Sequence, residues 1–388
     1  MSMPELEVAG YKRFPKEEYE ARWKKARKLM EKSGLDALLV CDGPNYTYLS
    51  GGTRDFSYTR PTIFILPREN PPTVIIHEFF KDAQKREVWV EDVRVYTTLL
   101  GAPIDEIKKA FEELGLTKSK VGAELGFEQR LGVSYNDFEA LKKELPNVKF
   151  ADASKILWYL RMVKSKAEIE RMRKACEITS RAYDVLAESI REGMTEAEVA
   201  KILYKTVLEE GGASPWALTN SGPYNYDVVS AGPVNKALRK GNLFWIDSGC
   251  AYKEYNSDFS RIYAIGQPSG KQKRMHKTVC RITRSCIEAV RPGVKVSDIA
   301  RLCDREFQKA RLEITFRAGR IGHGVGMMVT EPPHIAKYDD TVLEPGMVIT
   351  IEPGVVTDYG CFHVEENVLV TEKGYEILST ATTELRVV

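Results

Sequence analysis

Two stretches in the second half of the chain recur about a hundred residues later, in the same order. Gly193 is followed at fixed offsets by Glu198-Val199-Ala200-Lys201-Ile202, and Gly293 at the same offsets by Asp298-Ile299-Ala300-Arg301-Leu302. Gly241-Asn242-Leu243-Phe244-Trp245-Ile246-Asp247-Ser248-Gly249 returns as Gly346-Met347-Val348-Ile349-Thr350-Ile351-Glu352-Pro353-Gly354. Either pair alone could arise by chance; both in order describe two similar αβ units facing each other. In each unit an apolar strand ends in an acid, Asp247 or Glu352, before a tight turn. An acid at the end of a buried strand is costly unless it is paired or binds a cation. The repeat therefore predicts two carboxylates presented to one shared centre.

The rest of the chain supplies a second domain. At 388 residues the sequence suits two domains rather than one, and 43% hydrophobic residues leave ample core to build. Residues 1–157 read as α/β. Glu17 to Ser33 has a helical period that Gly34 stops, and helices are expected near Pro103–Leu114 and Tyr135–Lys143. The apolar runs Ala37–Val40, Thr62–Leu66 and Thr73–Ile76 read as strands of a layered sheet. The join falls near Leu157–Lys166, and residues 158–388 form the α+β domain that carries the repeat. Its first helix opens with the capping box Ser165-Lys166-Ala167-Glu168, and another opens with Thr195-Glu196-Ala197-Glu198. Strands are expected around Leu243–Ile246, Ile262–Ile265, Val348–Ile351 and Val368–Val370.

Three further residues complete a candidate centre. Asp258 follows Asp247 by eleven positions, the span of a short hairpin. His323 lies in Gly-His-Gly-Val-Gly, where glycines let backbone crowd the imidazole. Glu365 lies in His-Val-Glu-Glu-Asn at the start of a strand. Singly, each has a plainer reading as a turn residue, a loop or a solvated strand edge. Together, Asp247, Asp258, His323, Glu352 and Glu365 give the oxygen-rich donor set that two divalent ions of Mn, Co, Fe or Zn accept. Two such ions about 4 Å apart can bind one water, lower its pKa and stabilise a tetrahedral intermediate.

These five residues, in this order, resemble the ligand motifs of the pita-bread metallopeptidases of family M24, which include prolidase, aminopeptidase P and methionine aminopeptidase, with creatinase-like relatives. Asp-Ser-Gly, Asn-Ser-Asp-Phe-Ser-Arg, Gly-His-Gly-Val-Gly, Ile-Glu-Pro-Gly and Val-Glu-Glu-Asn-Val-Leu-Val are similar to the family's motifs, and residues 1 to about 155 resemble the prolidase/creatinase N-terminal domain. The resemblance implies a pita-bread fold with a pseudo-two-fold core. It implies that Asp247 chelates one metal, that Asp258 and Glu365 bridge both, and that His323 and Glu352 hold the second. Glu352 would also accept the proton of the attacking water. It further implies a homodimer cutting a small amide or Xaa-Pro dipeptide.

The sequence departs from that pattern in three places. Two histidines that peptidase members carry near the metals are replaced by Ser230 and Thr330, and the arginine usual before the last ligand is His363. A hydroxyl can donate one hydrogen bond but cannot act as a cation near neutral pH. His334 and His363 are candidate substitutes; for His334 an exposed loop position is an equal alternative. Arg54, Tyr58 and Arg60, in a segment dense in aromatics and arginine, are candidate substrate contacts, the alternative being a plain surface loop. The departures keep open a relative acting on a non-peptide small molecule: a creatinase- or ectoine-type C–N hydrolase, or a lyase on sulfonium compounds. A non-catalytic binding module on the same fold would have no need of five ligands.

Composition bears on compartment and partners. Fifty-seven basic residues nearly balance fifty-five acidic ones, so neither nucleic acid nor a membrane surface is expected as partner. Seven scattered cysteines without a CxxC pair argue against disulfides or a thiolate zinc site. With no apolar run of membrane-spanning length and no signal-type N-terminus, a cytoplasmic location is expected.

Overall fold

The computed structural model describes residues 12–41, 43–53 and 59–388. The chain divides into two compact units, Met1–Arg161 and Met162–Val388. The boundary expected at 157/158 lies inside a helix, Ser154–Met162.

The first unit is a six-stranded sheet flanked by helices. Its strands are β1 (Ala37–Val40), β2 (Ile63–Pro67), β3 (Thr73–His77), β4 (Asp92–Tyr96), β5 (Lys120–Ala123) and β6 (Lys149–Asp152). Their order is β4-β3-β2-β1-β5-β6, antiparallel at β1/β2 and β2/β3 and parallel at the other pairings. The helix read from residue 17 onward runs Lys16–Lys32, and Gly34 follows with φ +62°, where a side chain would be strained. The helices expected near 103–114 and 135–143 run Ile104–Glu113 and Tyr135–Glu144. β1 to β3 are buried along most of their length and were readable as apolar runs. The half-buried β4 (DVRVY) carries two charges and gives no such signal. Leu39, Ile65, Ile75, Phe111, Val121 and Leu141 form this unit's core.

In the second unit the repeat is visible in the backbone. Its helices are α1 (Lys166–Ser189), α2 (Glu196–Glu209), α3 (Gly270–Glu288) and α4 (Val296–Lys309). Both expected capping boxes are present, Ser165 with Glu168 and Thr195 with Glu198. α2 and α4 are each 14 residues long and occupy equivalent places in the two halves. Gly193 and Gly293 have φ of +92° and +85°, and each donates its N–H at 2.9 Å to a leucine carbonyl, Leu238 or Leu343. Those leucines donate back to the residue after each glycine, Met194 or Val294.

The strands of this unit are β7 (Ala213–Ser221), β8 (Leu243–Tyr252), β9 (Tyr255–Asn256), β10 (Phe259–Ala264), β11 (His323–Gly324), β12 (Glu331–His334), β13 (Val348–Ile351), β14 (Gly354–Thr357), β15 (Gly360–His363), β16 (Glu366–Val370), β17 (Tyr375–Ile377) and β18 (Arg386–Val387). One sheet runs β18-β10-β8-β7 with β9 on β8, and the other runs β12-β11-β13-β16-β17; β14 and β15 form a separate hairpin. Trp245, Ile262, Ile349, Ile351, Phe362 and Val368 belong to a single apolar core between them. The two half-units thus bury one common core, as a two-layer domain requires. No described helix is long and apolar enough to cross a membrane.

The repeat is not exact at its acids. Glu352 directly follows β13, as expected, but Asp247 lies in the middle of β8, which runs on through Ser248 and Gly249 to Tyr252. Gly249 keeps the strand going because the Ser257 backbone crosses so close that a Cβ there would sit 1.9 Å from its carbonyl oxygen.

Candidate metal centre

Five elements converge on one buried point. Asp247 sits on β8 opposite Ser260 of β10, and Asp258 immediately precedes β10. His323 opens β11, Glu352 leaves β13, and Glu365 precedes β16. All five side chains are buried, Glu365 to 1% exposure. His323 Nε2 lies 3.4 Å from Asp258 Oδ2 and 3.4 Å from Glu352 Oε1. Asp258, His323 and Glu365 bring one ligand atom each within 4.8 Å of one another, as do Glu352, His363 and Glu365. Asp247 joins through Glu365, whose carboxyl its own faces.

The backbone around the centre holds these groups still. A Cβ on Gly322 would lie 2.1 Å from the Thr350 carbonyl oxygen, and one on Gly324 would lie 2.2 Å from that of Pro332. Only glycines on either side of His323 let its strand lie this close to its neighbours. Thr350 Oγ1 accepts the His323 N–H at 3.1 Å and lies 3.4 Å from Glu352 Oε1. Asn367 accepts the Asp258 N–H at 3.0 Å and donates to the Asp258 carbonyl. Arg261 donates to the Glu365 carbonyl at 2.8 Å and pairs with the buried Glu366 at 3.0 Å.

Electrostatically the centre asks for positive charge. Burial, with neighbouring carboxylates adding to it, pushes Asp258 and Glu365 well above the usual carboxylate range. Asp247 is pushed up to about 6, mainly by burial. Glu352 goes the other way: burial opposes ionisation, but the hydrogen bond from His363 and the positive field of its neighbours, the Arg320 guanidinium among them, hold it below its ordinary value. Among the described residues, neither oxygen of Glu365 nor Oδ1 of Asp247 meets a hydrogen-bond donor. Buried carboxylate oxygens rarely go unsatisfied.

His323 makes the same point. Its Nδ1 lies 2.9 Å from the Gly324 carbonyl, which can only accept, so Nδ1 carries the ring proton. Nε2 then turns a lone pair toward two carboxyl oxygens, a repulsive arrangement unless a cation, or a proton on Asp258, lies between them. Burial lowers the basicity of this imidazole, so a second ring proton is disfavoured. The donor set, its orphaned oxygens and this tautomer fit divalent cations.

The other sequence candidates scatter. His363 joins the centre, buried on β15 with Nε2 3.3 Å from Glu352 Oε2. His334 is on β12 rather than in an exposed loop; it is 3% exposed, pairs across the sheet with His323, and its Nδ1 accepts from Arg320 at 2.9 Å. Thr330 is half-buried just ahead of β12, whereas Ser230 is exposed in the loop after β7 and is not part of the buried cluster. Arg60 is half-buried in the first unit with its guanidinium 5.2 Å from the Phe79 ring centre. Arg54 and Tyr58 lie outside the described residues. Sequence reasoning missed Trp245, Ser260 and Phe316, which surround His363. Trp245 and Ser260 each lie two positions from an acid of the centre, the spacing that puts side chains on one strand face, and could have been found from that period.

Comparison with known proteins gives the family. Residues 170–372 match metallopeptidase family M24, and residues 22–163 match the creatinase/prolidase N-terminal domain. The chain is 31% identical over 370 residues to an Xaa-Pro dipeptidase of Pyrococcus horikoshii, covering 93% of this chain and 97% of that protein. Its fold is similar to the crystal structure of dipeptidase PepE from Mycobacterium ulcerans, with TM-score 0.85, 28% identity and coverage of 97% and 99%. It is also similar to the crystal structure of the prolidase from Pyrococcus horikoshii, with TM-score 0.81, 28% identity and coverage of 94% and 99%. With its pita-bread core and creatinase-type N-terminal unit, the chain belongs to metallopeptidase family M24 and is a metallopeptidase.

Proposed function

We propose that the centre holds two divalent cations through Asp247, Asp258, His323, Glu352 and Glu365, and that the enzyme hydrolyses Xaa-Pro dipeptides or closely related short peptides. The observation that carries the metal reading is the His323 Nε2 lone pair, aimed between Asp258 and Glu352. The substrate reading is supported by full-length similarity to an Xaa-Pro dipeptidase. Oxygen-rich donors with one imidazole suit Mn, Co, Fe or Zn. Bound there, the cations supply Lewis-acid polarisation of the scissile carbonyl and a water acidic enough to lose its proton near neutral pH.

The chain's own residues do the rest. Glu352 is held ionised at neutral pH and accepts the proton of the attacking water, then returns it to the leaving amine. Asp258 and Glu365, with Asp247 beside them, would supply the remaining carboxylates that hold the cations. Burial of all five groups excludes bulk water and strengthens each charge interaction. His334 stands in for the histidines that peptidases of the family carry at the places of Ser230 and Thr330, and His363 serves catalysis from behind Glu352. Arg60, together with Arg54 and Tyr58, contributes substrate contacts. The proposal includes a homodimer, supported by family resemblance, and a cytoplasmic location, which seven free thiols suit.

Ser230 and Thr330 favour a second reading, a non-peptide C–N substrate of creatinase type. The test is a panel of Xaa-Pro dipeptides against small amidines and onium acids, each with added Mn or Co. Turnover of the dipeptides alone supports the first reading; turnover of amidines or onium acids alone overturns it.

A further inference from the structure

His323 and His363 flank Glu352, and each brings Nε2 near one of its oxygens, at 3.4 Å from Oε1 and 3.3 Å from Oε2 respectively. By distance alone either imidazole could ligate a cation, and His363 shares a tight donor group with Glu352 and Glu365. The other ring nitrogen separates the two. His323 Nδ1 faces a carbonyl and must donate. His363 Nδ1 lies 3.2 Å from the indole Nε1–H of Trp245, which can only donate, so this Nδ1 must accept. Ser260 Oγ lies 2.8 Å from the same Nδ1 and 3.0 Å from the His363 carbonyl oxygen. A hydroxyl rotates to serve either tautomer, so the indole decides.

We propose that Trp245 fixes His363 as the Nε2–H tautomer, making it a hydrogen-bond donor that holds Glu352 Oε2 and not a cation ligand. The opposite tautomer would set Nδ1–H against the indole N–H and an Nε2 lone pair against the carboxylate. Two attractive contacts would become two repulsive ones. The ring plane is clamped as well: Phe316 stacks on it at 3.9 Å between centroids, and Trp245 meets it edge-on at 5.6 Å. His363 thereby commits Oε2 of Glu352 and leaves Oε1 on the side of His323. Trp245 is a positioning residue; it acts on Glu352 through His363. Its consequence for ligation rests on the metal-centre reading, whereas the tautomer itself does not.

The tautomer can be read without any metal. The chain has five histidines, so 15N-histidine labelling of the metal-free protein gives a short list of ring nitrogens. The His363 pair is assigned by its loss in His363→Gln. In the wild type, Nδ1 is expected at the downfield position of a bare nitrogen and Nε2 at the position of a protonated one. Trp245→Phe keeps an aromatic ring and removes the N–H; a protonated Nδ1 population should then appear. Ser260→Ala should leave the tautomer unchanged. A protonated Nδ1 in the wild type overturns the proposal, and so does an unchanged tautomer in Trp245→Phe or a switched one in Ser260→Ala. If Trp245→Phe fails to fold, the wild-type spectrum and Ser260→Ala still decide. Cobalt X-ray absorption adds a count of ligating imidazoles: one per chain in the wild type and two in Trp245→Phe. Absent cobalt binding with the expected tautomers would sink the metal centre and leave the role of Trp245 standing.

Discussion

The clearest energetic consequence of the centre concerns Asp247 once the protein is stripped of divalent ions. Its carboxyl is buried and faces Glu365, and its folded pKa is raised from 3.8 to about 6. Below about pH 3 it is protonated in both folded and unfolded chains and has no effect on stability. As the pH rises the unfolded chain ionises first, so the folded state loses stability until the folded carboxyl also ionises near pH 6. A shift of roughly two units at about 1.4 kcal/mol each gives a loss of about 3 kcal/mol. Asp247→Asn keeps the shape and removes the titration. The measurement is guanidinium denaturation of metal-free wild type and Asp247→Asn at pH 4, 5, 6 and 7. The wild type minus variant difference should fall by roughly 2.4 kcal/mol between pH 4 and pH 7, most of it before pH 6. Returning Mn or Co at pH 7 should restore wild-type stability and not the variant's. A difference that stays flat, or that grows with pH, would show that the ionised carboxylate is well accommodated without a cation, and the reasoning would fail.

Three other outcomes follow from the same geometry. Asp258→Ala or Glu365→Ala should drop bound metal from two ions per chain to one or none by elemental analysis, because an open bridge leaves two cations mutually unscreened; two retained ions would contradict this. Gly324→Ala should lower stability by about 3 kcal/mol and weaken metal binding together, since the new Cβ would meet the Pro332 carbonyl oxygen at 2.2 Å; thermal melts with and without Mn would show both. Tyr183→Phe removes the hydroxyl that donates to the Phe259 carbonyl at 2.6 Å and accepts from Ser248 at 3.0 Å, behind Asp247 on β8; a loss of about 2 kcal/mol in denaturant melts is expected, and no loss would remove it from the centre's support.

Much of the fold was open to sequence reasoning because its signals are local. Helix ends are set by capping boxes and by glycines with positive φ, both written within a few residues. Buried strands such as β1 and β13 are plain apolar runs, while β4 and β6, half exposed and charged, carry no signal apart from their neighbours in the sheet. The four acids and one imidazole of the centre were readable in order because two of them sit in the repeat. The place of Asp247 within its strand was not: whether β8 stops or continues depends on the Ser257 backbone that packs against Gly249.

By itself, then, the sequence determined that two similar half-units would each bring a carboxylate to one buried point, since period, caps and tight turns are encoded in neighbouring residues. Only the tertiary structure decided which imidazole can face a cation. A histidine tautomer is set by whatever meets its other nitrogen: for His323 that is the next residue's carbonyl, but for His363 it is an indole 118 positions away along the chain. Hydrogen-bond direction between such distant partners exists only once the sheets have packed, and it separates the imidazole that turns a lone pair to the acids from the one that donates to Glu352.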